Sequence, residues 1–183
     1  SPPAKILISE IQTTGGPGKT DHDFIEIYNP NDAAVNLNGY RLVKRTKTGT
    51  TDTSIKSWTN DISILAHGYY LWANSNYSEI PTAPDGITSA TIASDNGVAI
   101  RFGPEDTGAI IDSVAWGEAQ NAFVEGAVFA SNPGVSQSIQ RKIQGGGFAD
   151  TNNNASDFEI KSCPSPGGRE GAEADRAAAA AEG

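Results

Sequence analysis

Apolar and polar residues alternate along this chain in short runs. Ile6-Leu7-Ile8-Ser9-Glu10-Ile11 opens it, and after a Gly-rich gap comes Asp23-Phe24-Ile25-Glu26-Ile27-Tyr28-Asn29-Pro30. Each run is a hydrophobic pleat carrying a carboxylate, and together they place the first two strands over residues 6–12 and 23–29. A strand over 39–44 follows, then a Thr- and Gly-rich loop over 46–53, a weak strand over 57–65 and a strong one at Tyr69-Tyr70-Leu71-Trp72-Ala73. Val98, Ile100 and Phe102 share one face of the next run, and Ile110 and Val114 share one side of the run over 109–116. Late strands are predicted over 138–143 and 158–160. Two-residue alternation sets one face of a strand on a core and the other in water. Many short strands separated by turn residues predict a sandwich or barrel. No stretch before the C-terminal tail carries helical periodicity.

Length and composition refine this picture. The 183 residues suit one domain with a tail, and a domain of that size buries roughly 70% of its unfolded surface. Twenty Gly and ten Pro supply the turns. Residues 1–4 read as an extended lead-in and 5–168 as the domain. Residues 169–183 turn Glu- and Ala-rich, with Ala at every position 177–181. A helix that short is marginal alone in water, so this segment is expected to be a disordered linker or tail outside the fold. A start at Ser-Pro-Pro with no methionine in the chain suggests a trimmed fragment of a longer protein. No apolar run approaches the ~20 residues of a membrane helix, so membrane insertion is not expected.

The formal net charge of −9 repels phosphate backbones. One basic patch, Arg41, Lys44, Arg45 and Lys47, could override that field locally; a solvated strand and hairpin is the simpler reading, and nucleic acid is not the expected partner. Cys163 is the only cysteine, which rules out an intramolecular disulfide. It sits in the turn Ser162-Cys163-Pro164-Ser165-Pro166-Gly167 with neither His22 nor His67 near it in sequence, a poor setting for a nucleophile. Gly145-Gly146-Gly147 lacks the strand-to-helix context and the Lys of a phosphate loop.

The order of several segments resembles the bacterial type of lamin-tail domain. They are Ile8-Ser9-Glu10-Ile11, the run from Asp23 to Pro30, Val35-Asn36-Leu37-Asn38-Gly39-Tyr40-Arg41-Leu42, Leu65-Ala66-His67-Gly68-Tyr69-Tyr70-Leu71 and Ile111-Asp112-Ser113-Val114-Ala115-Trp116-Gly117. Ser138-Ile139-Gln140-Arg141-Lys142, the run from Asp150 to Phe158 and the closing Pro164-Ser165-Pro166-Gly167 complete the match. Each motif alone is weak, whereas their order and spacing are specific. The resemblance implies an all-β, immunoglobulin-like β-sandwich with short strands and long loops. It also implies a non-catalytic interaction or tethering module of a bacterial extracellular or surface protein, with a protein or cell-surface partner and no cofactor.

Three residue groups invite sharper readings. Asp150, Asn152 and Asn154 place oxygen ligands at alternating positions, as a calcium loop begins, and Asp157 is the further candidate ligand. Ala155 stands where such a loop wants Gly, however, and Lys161 where it wants a bidentate Glu. Glu10 and Glu26 lie in adjacent strands and could serve as acid and base or hold a metal. Alternatively, each accepts hydrogen bonds at a strand end, and Glu26 faces away from Ile25 and Ile27. Trp58, Tyr69, Tyr70, Trp72, Tyr77 and Trp116 could form a glycan-stacking platform or pack in the core. Tyr70 and Trp72 share one face and are the leading platform candidates. An accessory domain binding glycan or calcium is therefore the alternative function.

Overall fold

The computed structural model describes residues 2–167; the expected tail over 169–183 lies outside the described residues. The elements are β1 (Leu7–Gln12), β2 (Phe24–Tyr28), β3 (Val35–Asn36), β4 (Tyr40–Arg45), β5 (Thr53–Ser57), β6 (Ser63–Ile64) and β7 (Tyr69–Asn74). Next come β8 (Gly86–Thr88), β9 (Gly97–Phe102), β10 (Ala109–Ala115), β11 (Ser138–Arg141), β12 (Ile143–Gln144) and β13 (Gly147–Phe148). A one-turn helix α1 (Asn154–Asp157) and β14 (Phe158–Lys161) complete the series. Two sheets form an immunoglobulin-like β-sandwich. One has the order β14-β11-β1-β2-β7-β8 and the other β10-β9-β4-β5. Neighbours in both sheets are antiparallel except β7 and β8.

The core lies between the sheets. Ile8, Ile11, Ile25, Ile27 and Trp72 enter from the first and Leu42, Val98, Ile100 and Val114 from the second. Fully burying an aliphatic side chain of this size contributes roughly 1.5–3 kcal/mol. Each sheet also buries part of its outer face. Phe24, Leu71 and Ala73 pack with Tyr77 and Ile80 on one side, and Val43 and Ala99 pack with Phe123 on the other.

Two β-bulges set the phase of the strands. Pairing of β1 with β2 slips between Ile8 and Glu10, which is why Ile8 and Ile11, three residues apart, both reach the core. Pairing of β10 with β9 slips between Ile110 and Asp112. A bulge adds one residue to one strand, so side chains on its two sides change phase. Val114 is therefore buried, whereas Ile110 is 41% exposed; the expectation that they share a side is corrected. Phe102 is 38% exposed, because β9 runs past the core there. Its ring stacks edge-on against Tyr40 and covers Gly39. A Cβ on Gly39 would lie 3.0 Å from the Phe102 ring, and its φ of +90° favours glycine.

Two further expectations change. The strand placed over 57–65 resolves into β5, which starts inside the expected loop at Thr53, and the short β6. The Thr-rich segment is β-branched and pairs with β4 across a third bulge. The chain also makes one helical turn, α1, capped by the Asn153 side chain accepting from Ser156 N–H. A single turn leaves no periodicity to read.

The bulge in β10 makes a direct prediction. Val114→Ala should cost about 2 kcal/mol of unfolding free energy in urea, and Ile110→Thr at most about 0.5 kcal/mol. Equal costs would contradict the phase change.

Candidate functional site

Glu10 and Glu26 face each other across β1 and β2, and every carboxylate oxygen of the pair accepts a hydrogen bond. Glu10 Oε1 accepts from the Ser138 hydroxyl and from Ser165 N–H at 3.1 Å, and its Oε2 from the Ser165 hydroxyl at 3.4 Å. Glu26 Oε1 accepts from Ser9 Oγ and its Oε2 from Gly167 N–H at 2.8 Å. Burial raises the Glu10 carboxyl above its ordinary value; Ser138 and Ser165 oppose the rise and the Glu26 charge adds to it. The pair therefore clamps residues 165–167 onto the outer face of the six-stranded sheet. Thr82 completes the clamp by donating to Pro166 O at 2.7 Å. Gly167 turns there at φ +97°, where a Cβ would meet Thr82 Cγ2 at 2.7 Å.

The residues expected to form a calcium loop do not converge on a common point. Asn154 Oδ1 accepts from Ala115 N–H and Glu125 N–H, and its Nδ2 donates to Ser113 O. Asp157 accepts from Thr151 N–H and the Thr151 hydroxyl. Asn152 occupies a left-handed turn position at φ 55°. Asp150 pairs with Lys5 at 2.9 Å. The segment is a turn that ties α1 to the end of β10. Only Asp150 joins a set of converging carboxylates, with Asp112 and Glu125.

Arg141 sits beside that set, fully buried. It donates to Ile8 O at 2.9 Å, Ala149 O at 2.8 Å and Asp112 Oδ2 at 2.7 Å, and its guanidinium lies 4.6 Å from the Phe158 ring centre. Asp112 Oδ2 also accepts from Ile8 N–H at 2.6 Å. Burial pushes the Asp112 carboxyl up to about 7, with Arg141 and Ile8 N–H pulling the other way. Burial likewise raises the Glu125 carboxyl. The pair joins the two sheets, since Arg141 belongs to β11 and Asp112 to β10.

Three of the four residues of the basic patch are paired with carboxylates of the chain. Arg41 pairs with Glu105 at 3.2 Å, Arg45 with Asp52 at 2.8 Å, and Lys47 with Glu118. Lys44 donates to Thr91 O. Asp52 also takes Arg101 at 2.5 Å, and Phe123 stacks under both guanidinium groups. Burial works to raise the Asp52 carboxyl, yet hydrogen bonds from Arg101, Asp106 N–H and Arg45 hold it below its ordinary value.

Tyr70 and Trp72 are core residues, 4% and 0% exposed, so the stacking-platform expectation is corrected. Trp58 and Trp116 are buried with them. Trp72 Nε1–H donates to Thr88 Oγ1 at 2.9 Å, and Thr88 donates onward to Ile55 O at 2.8 Å in the other sheet. A shallow groove of about 200 Å³ runs between His22, Tyr77, Glu79, Pro81, Pro164 and Pro166. It is smaller than the roughly 300–1,000 Å³ of small-molecule sites. Cys163 is exposed. Among the residues that sequence reasoning passed over, Asp112 and Arg141 carry the readable signal. Each is a charge in the core-facing phase of its strand, beside Val114 and Ile139.

Two outcomes follow from these buried charges. Arg141→Met strands the Asp112 carboxylate and should cost about 3–5 kcal/mol in urea unfolding. Adding Asp112→Asn keeps an acceptor for Ile8 N–H and should recover at least ~1 kcal/mol of that loss. Asp23 is fully buried, and one of its oxygens has no partner among the described residues; burial pushes its carboxyl up to about 7, against the Ile92 N–H bond. The native state thus binds more protons than the unfolded chain between pH 3.8 and about 7, and this group's stabilisation falls as pH rises through that window. The stability of the native chain relative to Asp23→Asn should drop by on the order of 2 kcal/mol between pH 5 and 8. A pH-independent difference in Tm would contradict it.

Comparison with known proteins gives three findings. A family model described as Lamin Tail Domain matches residues 1–118. No curated protein matches the chain. A solved structure, that of a DUF4876 family protein from Bacteroides thetaiotaomicron VPI-5482, is similar in fold. Its TM-score is 0.61 at 12% identity, covering 87% of this chain and 71% of that one. With its two-layered sandwich and a matched span of residues 1–118, the chain belongs to the lamin tail domain family, whose immunoglobulin-like modules are generally non-catalytic.

Proposed function

We propose that this chain is a non-catalytic interaction or tethering module of a bacterial extracellular or surface protein. One observation carries the reading: Glu10 and Glu26, the pair best placed for acid–base chemistry, spend all their oxygens on Ser9, Ser138, Ser165 and Gly167. The ion pairs of Arg41, Arg45 and Lys47 argue against nucleic acid as the partner. The candidate contact surfaces are loops and sheet edges. Leu65 is 72% exposed beside β6, and Ile87 is 57% exposed on β8, an edge of the six-stranded sheet. Edge strands present backbone groups to which a partner strand can add.

The exposed Cys163 supplies a labelling position for the test. Chain labelled there should bind intact bacterial cells or their surface-protein fractions saturably and be displaced by unlabelled chain, and Leu65→Asp should weaken that binding at least ~10-fold, as for a hot-spot side chain. The reading fails if no fraction binds saturably, or if the chain turns over ester or phosphoester substrates with an activity that Glu10→Gln abolishes.

A further inference from the structure

One carboxylate oxygen from each of Asp112, Glu125 and Asp150 lies within 4.8 Å of the other two. These residues come from distant parts of the chain: β10, the connection from β10 to β11, and the turn before α1. Asn154 fixes their backbones together. Its side chain holds Ser113 O and Ala115 N–H next to Asp112, and it exchanges hydrogen bonds with Glu125 through Glu125 N–H to Oδ1 and Asn154 N–H to Glu125 O.

An independent observation points to a ligand in this cluster. Asp112 is fully buried, and its Oδ1 has no hydrogen-bond partner among the described residues, although its Oδ2 has two. Glu125 Oε2 is in the same condition, while its Oε1 accepts only a long bond from Ser113 at 3.3 Å. Buried carboxylate oxygens are ordinarily paired, and two such oxygens in one cluster require an explanation. Arg141 does not supply it: its hydrogen bonds run to Asp112 Oδ2, Ile8 O and Ala149 O, and its further ion contacts are to Asp150 and Asp157, so neither oxygen is paired by it.

We propose that Asp112, Glu125 and Asp150 hold a calcium ion. The donors are all hard oxygens, with no His or Cys among them, which selects an alkaline-earth ion over zinc or copper. Calcium accepts irregular sets of carboxylate oxygens, whereas magnesium demands near-ideal octahedral geometry and keeps most of its waters, which favours calcium at carboxylates gathered from three parts of the chain. The charges also fit. With all four carboxyls ionised, Asp112, Glu125, Asp150 and Asp157 around Arg141 and Lys5 leave two negative charges for a divalent cation to neutralise. Asp150, with its side chain 24% exposed, gives access from solvent. Lys5, 39% exposed, can withdraw its ammonium into water when the ion enters. This site shares only Asp150 with the calcium loop considered over 150–157 and does not depend on the interaction reading.

The test compares the chelator-treated chain with Glu125→Gln, Asp150→Asn and Asn152→Gly, each checked for fold by circular dichroism. Calorimetric titration and thermal melts are run with calcium chloride, magnesium chloride and sodium chloride at matched ionic strength. Calcium at ~5 mM should raise the Tm of the native chain by at least about 3 °C. Asn152→Gly should keep that response, while Glu125→Gln and Asp150→Asn should weaken calcium binding at least ~10-fold, as loss of a charged ligand does. The proposal is overturned by absence of heat and shift in the native chain, by an equal response to magnesium, or by a response that survives Glu125→Gln. It is equally overturned if no calcium response appears but the native Tm falls more steeply from pH 5 to 8 than that of Glu125→Gln, which would assign the two oxygens to a shared proton.

Discussion

Arg141 is a permanent positive charge with no water around it, and one whole side of the sandwich is organised to satisfy it. Each of its three nitrogens finds an acceptor, from β1, from the turn after β13 and from β10. Asp112 reaches the guanidinium from the bulge in β10, and it takes Ile8 N–H where β1 bulges in turn. A buried pair of this kind adds little net stability over a well-packed apolar one. Its effect here is geometric: it defines how the two sheets meet on that side, and the core packs within that constraint.

The other side is closed by a neutral counterpart. Thr88 takes the Trp72 indole N–H from its own sheet and donates to Ile55 O in the opposite one. The sandwich is thus joined along both margins by side chains that bridge the sheets, with the isoleucine-rich layer between them. On the outer faces, charged groups act as fasteners for loops: Asp52 binds Arg45 and Arg101 over Phe123, while Glu10 and Glu26 hold residues 165–167.

Much of this was legible in the alternation of residues. The opening strands, β4, β7, β9 and β11 follow from period-two runs, and the family motifs follow from their order. The two bulges were visible only as a slip of phase, Ile8 to Ile11 and Ile110 to Asp112, which strict alternation overrides. Tyr70 and Trp72 were ambiguous because an aromatic face looks the same whether it meets a sheet or a ligand. The cluster of Asp112, Glu125 and Asp150 was not readable, because its members are separated along the chain and meet only once Asn154 ties β10 to the connection that carries Glu125. The calcium-loop pattern over 150–157 failed for the opposite reason: residues adjacent in sequence turn their oxygens to different backbone partners.

The clamp formed by Glu10 and Glu26 has a mechanical consequence. The last strand, β14, lies at the margin of its sheet, and a pull on the chain beyond it would ordinarily peel that strand away one hydrogen bond at a time. The chain instead crosses back and is gripped at Ser165 and Gly167 by carboxylates on β1 and β2, in the middle of the sheet. Tension arriving from the C-terminal side therefore meets the grip of two central strands before it meets the marginal one.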